Sequence, residues 1–137
     1  MSKIENVVLN KFKDFMQDKE DNSIQLSVRD FISSQYFKDD EGHELLIVKY
    51  ELWGSEIFKH YRSNREEIIY ISFCGYNTPT TRQRIRIFES LFDFEINNIA
   101  TGKYELKYCG NKFILQSDKS YEATYKLNLT NKTMSIL

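Results

Sequence analysis

Residues 68–92 constrain the fold of this chain more than any other stretch. Residues 68–73 form a nearly continuous apolar run, which is typical of a central strand buried on both faces. Gly75 then provides a turn. Thr78 and Pro79 are the residue types that begin a helix, because threonine caps the first turn and proline needs no hydrogen bond there. We therefore predict a strand, a tight turn and a helix over 79–92 in immediate succession.

The predicted helix has one apolar face and one exposed face. Its apolar positions repeat at helical spacing at Ile85, Phe88 and Phe92. Arg82 and Arg86 lie on the opposite face, whereas Arg84 falls inside the apolar arc. Solvation alone does not account for that position, so we expect Arg84 to lock the helix to the fold through a carboxylate or backbone carbonyls.

The chain has 137 residues, which predicts one domain spanning 1–137. We predict an α+β fold, with a curved antiparallel sheet of about six to eight strands. The N-terminal helix covers 1–18, and Ser2 with Glu5 forms a capping box at its start. Strands fill 24–74 and 94–129, and the tail 130–137 is expected to fray.

Several local patterns define the strands and turns more closely. Residues 44–52 give the strongest early strand, after a hairpin turn over 38–42 and before a turn over 53–55. We expect a short strand to begin at Tyr36. Residues 24–28 alternate as in a strand, and in the alternative interpretation Ser27 with Asp30 caps a short helix. Further predictions are a two-residue turn at Gly110-Asn111 and a last strand over 121–129.

Charge is unevenly distributed although the net charge is only −1. Residues 1–44 contain six Lys/Arg and ten Asp/Glu, whereas residues 59–86 contain six Lys/Arg and two Asp/Glu. Two interpretations are open: ordinary surface scatter, or an acidic surface beside a local basic patch. The whole chain has no long-range attraction for nucleic acid.

Cysteine usage indicates a reducing, cytosolic setting. Cys74 and Cys109 form no paired motif, so we expect reduced, buried thiols. No apolar run reaches the length of a membrane span, and the polar start is unlike a secretory signal. We expect no membrane partner.

Patterns for enzyme chemistry are absent. His43 and His60 are the only histidines, and neither has metal-ligand spacing with Cys or Glu. Neighbouring carboxylates such as Asp39 and Asp40 point to opposite faces of a strand, which does not make an acid–base pair. We expect a protein without catalytic activity, cofactor or metal.

The start of the 79–92 helix is the best candidate for binding. Free N–H groups, the helix dipole, threonine hydroxyls and Arg82 together form a potential anion site. In the alternative interpretation, the threonines only cap the helix and the arginines pair with nearby glutamates. The candidate binding residues are Lys59, Arg62, Thr78, Thr80, Thr81, Arg82, Arg84, Arg86, Asp39, Asp40 and Glu41.

The segment 75–85 reads Gly-Tyr-Asn-Thr-Pro-Thr-Thr-Arg-Gln-Arg-Ile and follows strand-like segments at 46–50 and 68–73. This arrangement resembles a group of small proteins carried by bacteriophages and plasmids. Their pattern is a hydrophobic strand, then G-[WY]-x-T-x-T-T-[KR]-x-R-[MI], a short helix and a closing β-segment. Cys74 and Arg86 depart from it. The resemblance implies a mobile-element origin and a location in the cytoplasm of a bacterial host cell, and the group has no settled biochemical role.

Together these observations predict a non-enzymatic binding protein. The first hypothesis is an inhibitor of a bacterial defence nucleoprotein complex, such as a CRISPR effector, with the acidic 1–44 half facing a basic nucleic-acid channel. Its partner is a host protein or nucleoprotein complex. The alternative is direct nucleic-acid binding by Arg82, Arg84 and Arg86 with Lys59 and Arg62. A monomer and a homodimer are both open.

Overall fold

A computed structural model describes all of residues 1–137. Four helices form, at α1 (Lys3–Gln17), α2 (Pro79–Arg86), α3 (Glu89–Phe92) and α4 (Asp118–Glu122). The ten strands are β1 (Asn22–Gln25), β2 (Asp30–Lys38), β3 (Glu44–Leu52), β4 (Ser55–Ser63), β5 (Glu67–Ser72), β6 (Phe94–Ala100), β7 (Lys103–Tyr108), β8 (Asn111–Leu115), β9 (Thr124–Asn128) and β10 (Thr133–Ile136).

Two antiparallel sheets organise the strands, and the predicted α+β class is confirmed. The larger sheet has seven strands in the order β1-β2-β3-β4-β5-β9-β10, and the smaller has three in the order β6-β7-β8. All neighbouring strands are antiparallel. The chain therefore leaves the large sheet after β5, builds α2, α3 and the small sheet, and returns as β9.

The hydrophobic core lies against one face of the large sheet. Helices α1, α2 and α3 and the small sheet all contribute buried side chains to one cluster with this face. Phe58 on β4 stacks on Phe88, with ring centroids 4.0 Å apart, and Phe12 of α1 meets Phe88 edge-on at 4.7 Å. Ile68 is buried but lies outside this cluster, because it points to the opposite face of the sheet. We call that opposite face the outer face.

Helix α1 is capped by Ser2 as predicted, but the predicted capping box is incomplete, because the Glu5 carboxylate contacts the Ser2 hydroxyl rather than the Ser2 backbone N–H. The Ser2 hydroxyl accepts a hydrogen bond from the Glu5 N–H at 3.3 Å and donates one to the Glu5 carboxylate at 2.9 Å. The buried side of α1 consists of Val8, Phe12, Phe15 and Met16.

The prediction of one helix over 79–92 is wrong, because α2 ends at Arg86 and α3 begins at Glu89. Ile85 and Ile87 are both buried, although a continuous helix would place them about 200° apart. A tighter turn joins the two helices, in which the Phe88 N–H donates to the Ile85 carbonyl at 3.2 Å, and both isoleucines and the stacked Phe88 ring enter the core.

Two predictions for the C-terminal part are also wrong. Residues 118–122 form α4 rather than strand, because the Ser117 hydroxyl caps the helix by accepting from the Ser120 N–H at 3.4 Å. The tail does not fray: β10 pairs with β9, after a turn in which the Asn128 carboxamide oxygen accepts from the N–H groups of Thr130 and Asn131.

Smaller corrections concern strand boundaries. Strand β2 begins at Asp30, six residues before the predicted start, and β1 begins at Asn22. Ser27 forms a turn between them, in which its hydroxyl accepts from the Asp30 N–H at 3.1 Å, so it caps no helix. The hairpin turn between β7 and β8 is Cys109-Gly110 rather than Gly110-Asn111, because Asn111 already pairs with Tyr108.

Candidate functional site

Two groups of candidate residues lie at opposite ends of the large sheet. The turn 39–43 precedes β3, whereas α2 starts near the far end of that strand, at Leu52. Eight residue steps of about 3.3 Å separate Glu44 from Leu52, so the two ends are roughly 27 Å apart.

Carboxylates from two loops meet at the first of these ends. Lys19 Nζ lies 2.9 Å from the Glu44 carboxylate, and the Asp21 carboxylate accepts from the Tyr36 N–H at 2.8 Å. These contacts hold the loop 18–21 beside the turn 39–43, although the two are distant in sequence. We call the resulting surface the acidic end, and its members are Asp18, Glu20, Asp21, Asp39, Asp40, Glu41 and Glu44.

Hydrogen bonds within the turn fix Asp39. Its carboxylate accepts from the His43 N–H at 2.9 Å and from the Glu41 N–H at 3.0 Å, and it lies 2.8 Å from His43 Nδ1. The bonds from His43 lower the pKa of Asp39, so this carboxyl group stays charged at neutral pH. Asp39, Glu41 and His43 could offer three donor atoms to a cation within 4.8 Å of one another. The internal bonds of the turn already account for that geometry.

The basic residues of 59–86 do not form one surface. Lys59 lies on the outer face, with Nζ 4.7 Å from the centre of the Tyr70 ring. Arg62 points to the core side and donates to the Met16 carbonyl at the end of α1, at 2.9 Å. Arg86 is exposed and pairs with Glu89 at 3.0 Å. The structure thus distributes these cations over separate parts of the molecule.

Arg84 is buried and pairs with a buried carboxylate, which confirms the expectation drawn from its place in the apolar arc. Its Nε donates to Asp30 Oδ1 at 3.0 Å. The hydroxyl groups of Tyr50 and Ser27 also donate to Asp30, the latter at 2.5 Å. Burial alone would raise the pKa of Asp30, but these hydrogen bonds outweigh it and the pKa is lowered. Arg84 therefore joins α2 to β2 and is not available to a ligand.

The start of α2 is capped by its own threonines. The Thr78 hydroxyl oxygen accepts from the Thr81 N–H at 3.3 Å, and the Thr78 carbonyl accepts from the Arg82 N–H at 3.2 Å. Pro79 has no N–H. Only the Thr80 N–H remains without a partner in this turn. The helix start therefore offers an anion a single backbone donor. Arg82 is engaged nearby, donating to the Asn77 carboxamide at 2.6 Å with its guanidinium 4.1 Å from the Tyr104 ring centre.

The same helix start lines a cavity of about 400 Å³. We call this cavity the aromatic pocket, and its lining is Leu52, Trp53, Ile57, Tyr76, Thr78, Thr80 and Thr81. Leu52 and Ile57 form its buried floor, whereas Trp53 and Tyr76 are 64% and 51% exposed. Sequence reasoning missed both aromatic residues. The available signal was a tryptophan in a two-residue hairpin turn, where asparagine, aspartate or glycine is usual.

A second cavity, of about 350 Å³, contains several ionisable groups, among them Glu67, Tyr108 and Cys109. Burial, and then a hydrogen bond with Cys109, raises the pKa of Tyr108 to about 12, which keeps the phenol protonated. His60 Nε2 lies 2.9 Å from the Glu67 carboxylate, and this hydrogen bond lowers the pKa of Glu67. Cys109 is exposed, contrary to the expected buried thiol, because it occupies the hairpin turn.

None of the helices combines the length and the apolar composition needed to cross a lipid bilayer. Scans against models of known protein families, against curated proteins and against solved structures found no match for this chain.

Proposed function

We propose that this chain is a non-enzymatic binding protein of a mobile genetic element. In this proposal it inhibits a bacterial defence nucleoprotein complex, such as a CRISPR effector, by presenting the acidic end to a basic nucleic-acid channel. The supporting observation is that two separate loops bring seven carboxylates to one end of the sheet.

A rigid arrangement of negative charge imitates a nucleic-acid backbone. Duplex DNA carries one negative charge per roughly 1.7 Å of helix axis, and proteins bind it largely by neutralising phosphates. The acidic end is held by hydrogen bonds to Asp21, Asp39 and Glu44, so few side chains must be ordered on binding. Hydrogen bonds from Lys19 and Tyr36 lower the pKa of Glu44, which keeps its charge at neutral pH.

The test measures inhibition of guide-loaded effector binding to target DNA, by gel shift at two salt concentrations. We expect Asp40→Asn/Glu41→Gln to weaken inhibition on the order of tenfold at low salt, because steering by complementary charge is lost. The matched control is Glu95→Gln/Glu105→Gln on the small sheet, which changes the net charge equally and should stay within about twofold.

Two results would contradict the proposal. One is an absence of effector binding together with unchanged phage interference. The other is an equal effect of the two double variants, which would show that only net charge matters.

One observation favours a second function, direct nucleic-acid binding through the outer face. Lys49, Lys59, Tyr70 and Lys126 occupy one row of Cα partners across four neighbouring strands, β3, β4, β5 and β9. Like charges on directly opposed strand residues cost stability. Lys49 and Lys59 are such a pair, and Glu56 lies near both, 3.7 Å from Lys49 and 3.9 Å from Lys59. Lysines beside an aromatic ring are suited to single-stranded nucleic acid.

A gel shift with single-stranded DNA alone separates this function from inhibition. The outer-face function requires binding that falls steeply with salt, and a loss of affinity in Lys49→Gln/Lys126→Gln. Absence of binding at low salt would exclude it.

A further inference from the structure

Trp53 occupies a backbone conformation that is costly for a bulky residue. It has φ = 55° in the two-residue turn between β3 and β4, and Gly54 follows at φ = 78°. The left-handed region is normally left to glycine, asparagine or aspartate. The indole gains little burial in return, because it remains 64% exposed. An exposed aromatic side chain on a strained turn points to a role outside folding.

The chain holds this indole in place beside the aromatic pocket. The Trp53 backbone N–H donates to the Arg29 carbonyl at 2.8 Å, which fixes the turn, and the Arg29 guanidinium lies 5.7 Å from the indole centre. Tyr76 also lines the pocket and is exposed, whereas Leu52 and Ile57 form its buried part. Two rigid aromatic side chains above an apolar floor form the kind of pocket that takes a buried anchor at protein interfaces.

Charge decides which kind of partner fits. None of the seven lining residues carries a charge, and the helix start beside them has one free backbone N–H. A nucleic-acid strand would bring phosphates to a pocket with no lysine or arginine in its lining, and would lose the electrostatic contribution on which such binding depends. Binding of a neutral aromatic side chain of a protein does not depend on that electrostatic contribution. A cavity of about 400 Å³ is larger than the roughly 150 Å³ that holds a benzene ring, so it has room for the ring and for adjoining atoms of the partner.

We propose that the aromatic pocket is a protein-docking site that accepts one aromatic side chain of a partner protein between Trp53 and Tyr76. The site lies roughly 27 Å from the acidic end, at the opposite end of β3. It is independent of the proposed inhibition by charge, so each can fail without the other.

The intrinsic fluorescence of the protein provides the test, because Trp53 is the only tryptophan in the chain. The full-length protein is titrated with N-acetyl-phenylalaninamide, with N-acetyl-alaninamide as the control that lacks the ring, and with an octamer of deoxythymidylate. We expect the phenyl probe to shift the tryptophan emission to the blue with a dissociation constant on the order of 1 mM, as a ligand of about 15 non-hydrogen atoms allows. The other two compounds should leave the emission unchanged.

Two variants, at aromatic residues of nearly equal exposure, test whether the probe binds at the pocket. Tyr76→Ala should raise the dissociation constant of the phenyl probe at least about fivefold, since it removes one of the aromatic side chains that line the pocket. Phe37→Ala removes a ring that is 52% exposed at the acidic end, against 51% for Tyr76, and should change nothing. No emission change up to about 20 mM phenyl probe, binding that Tyr76→Ala leaves intact, or tighter binding of the deoxythymidylate octamer would each overturn the proposal.

Discussion

Replacing Arg84 by methionine tests the central structural link of the molecule. Methionine keeps much of the side-chain volume of arginine but removes the donor that contacts Asp30 at 3.0 Å. Asp30 is then a carboxylate with 1% side-chain exposure and only two neutral donors, the hydroxyl groups of Tyr50 and Ser27. An uncompensated buried charge of this kind costs about 3–5 kcal/mol.

Urea denaturation measures this loss. With a slope of roughly 1.5–2 kcal/mol per M, the midpoint for Arg84→Met should fall by about 2 M at pH 7. The matched control is Arg86→Met on the same helix, whose pair with Glu89 is solvent-exposed and should contribute at most about 0.5 kcal/mol. A loss below about 1 kcal/mol for Arg84→Met, similar to the control, would refute the reasoning.

The pH dependence provides a second check on the same pair. In the wild type the pKa of Asp30 is lowered, so its contribution to stability is present above the unfolded pKa of about 3.9 and is lost as pH falls through the folded value. Without Arg84, burial should raise the pKa of Asp30 above the unfolded value. The variant then loses stability as pH rises, and the difference from wild type should widen between pH 4 and pH 7. An equal difference at both pH values would show that the charge of Asp30 is not the cause.

Three further predictions concern single residues and are measured by urea denaturation. Trp53→Asn should raise the free energy of unfolding by about 1 kcal/mol, because asparagine tolerates φ = 55° better than tryptophan does; an unchanged midpoint would mean that the turn is not strained. Thr78→Ala should cost about 1 kcal/mol through loss of the cap on the Thr81 N–H, and an effect no larger than that of Thr80→Ala would contradict this role. Glu67→Gln should cost at most about 1 kcal/mol at pH 7, since the carboxylate is part-exposed. That cost should disappear as pH falls through the lowered folded pKa of Glu67, and a cost that persists there would exclude the charged contact with His60.

Local chemistry made a substantial part of the fold predictable. The N-cap at Ser2, the bounds of β3 and the cap at Thr78 each depend on a few neighbouring residues, and all are confirmed. Arg84 was predictable because helical periodicity fixes the direction of a side chain before any partner is known.

The remaining features depend on contacts that sequence spacing does not show. The break between α2 and α3 accompanies the stacking of Phe88 on Phe58, thirty positions earlier in the chain. The alternating pattern of 121–129 matches a strand, yet the cap at Ser117 places its first two residues in α4. The acidic end exists only because β1 and β2 pair antiparallel, which brings the loop 18–21 beside the turn 39–43.

The motif at 75–85 is explained mainly by folding. Thr78 and Thr81 form the helix cap, Arg84 pairs with Asp30, and Gly75 has φ = 80°, a conformation that strains other residues. A motif whose residues have these structural roles specifies how a strand is followed by a helix. Proteins that share such a motif can share this architecture without sharing a binding partner. Binding must then depend on side chains that the architecture leaves in solvent, such as Tyr76.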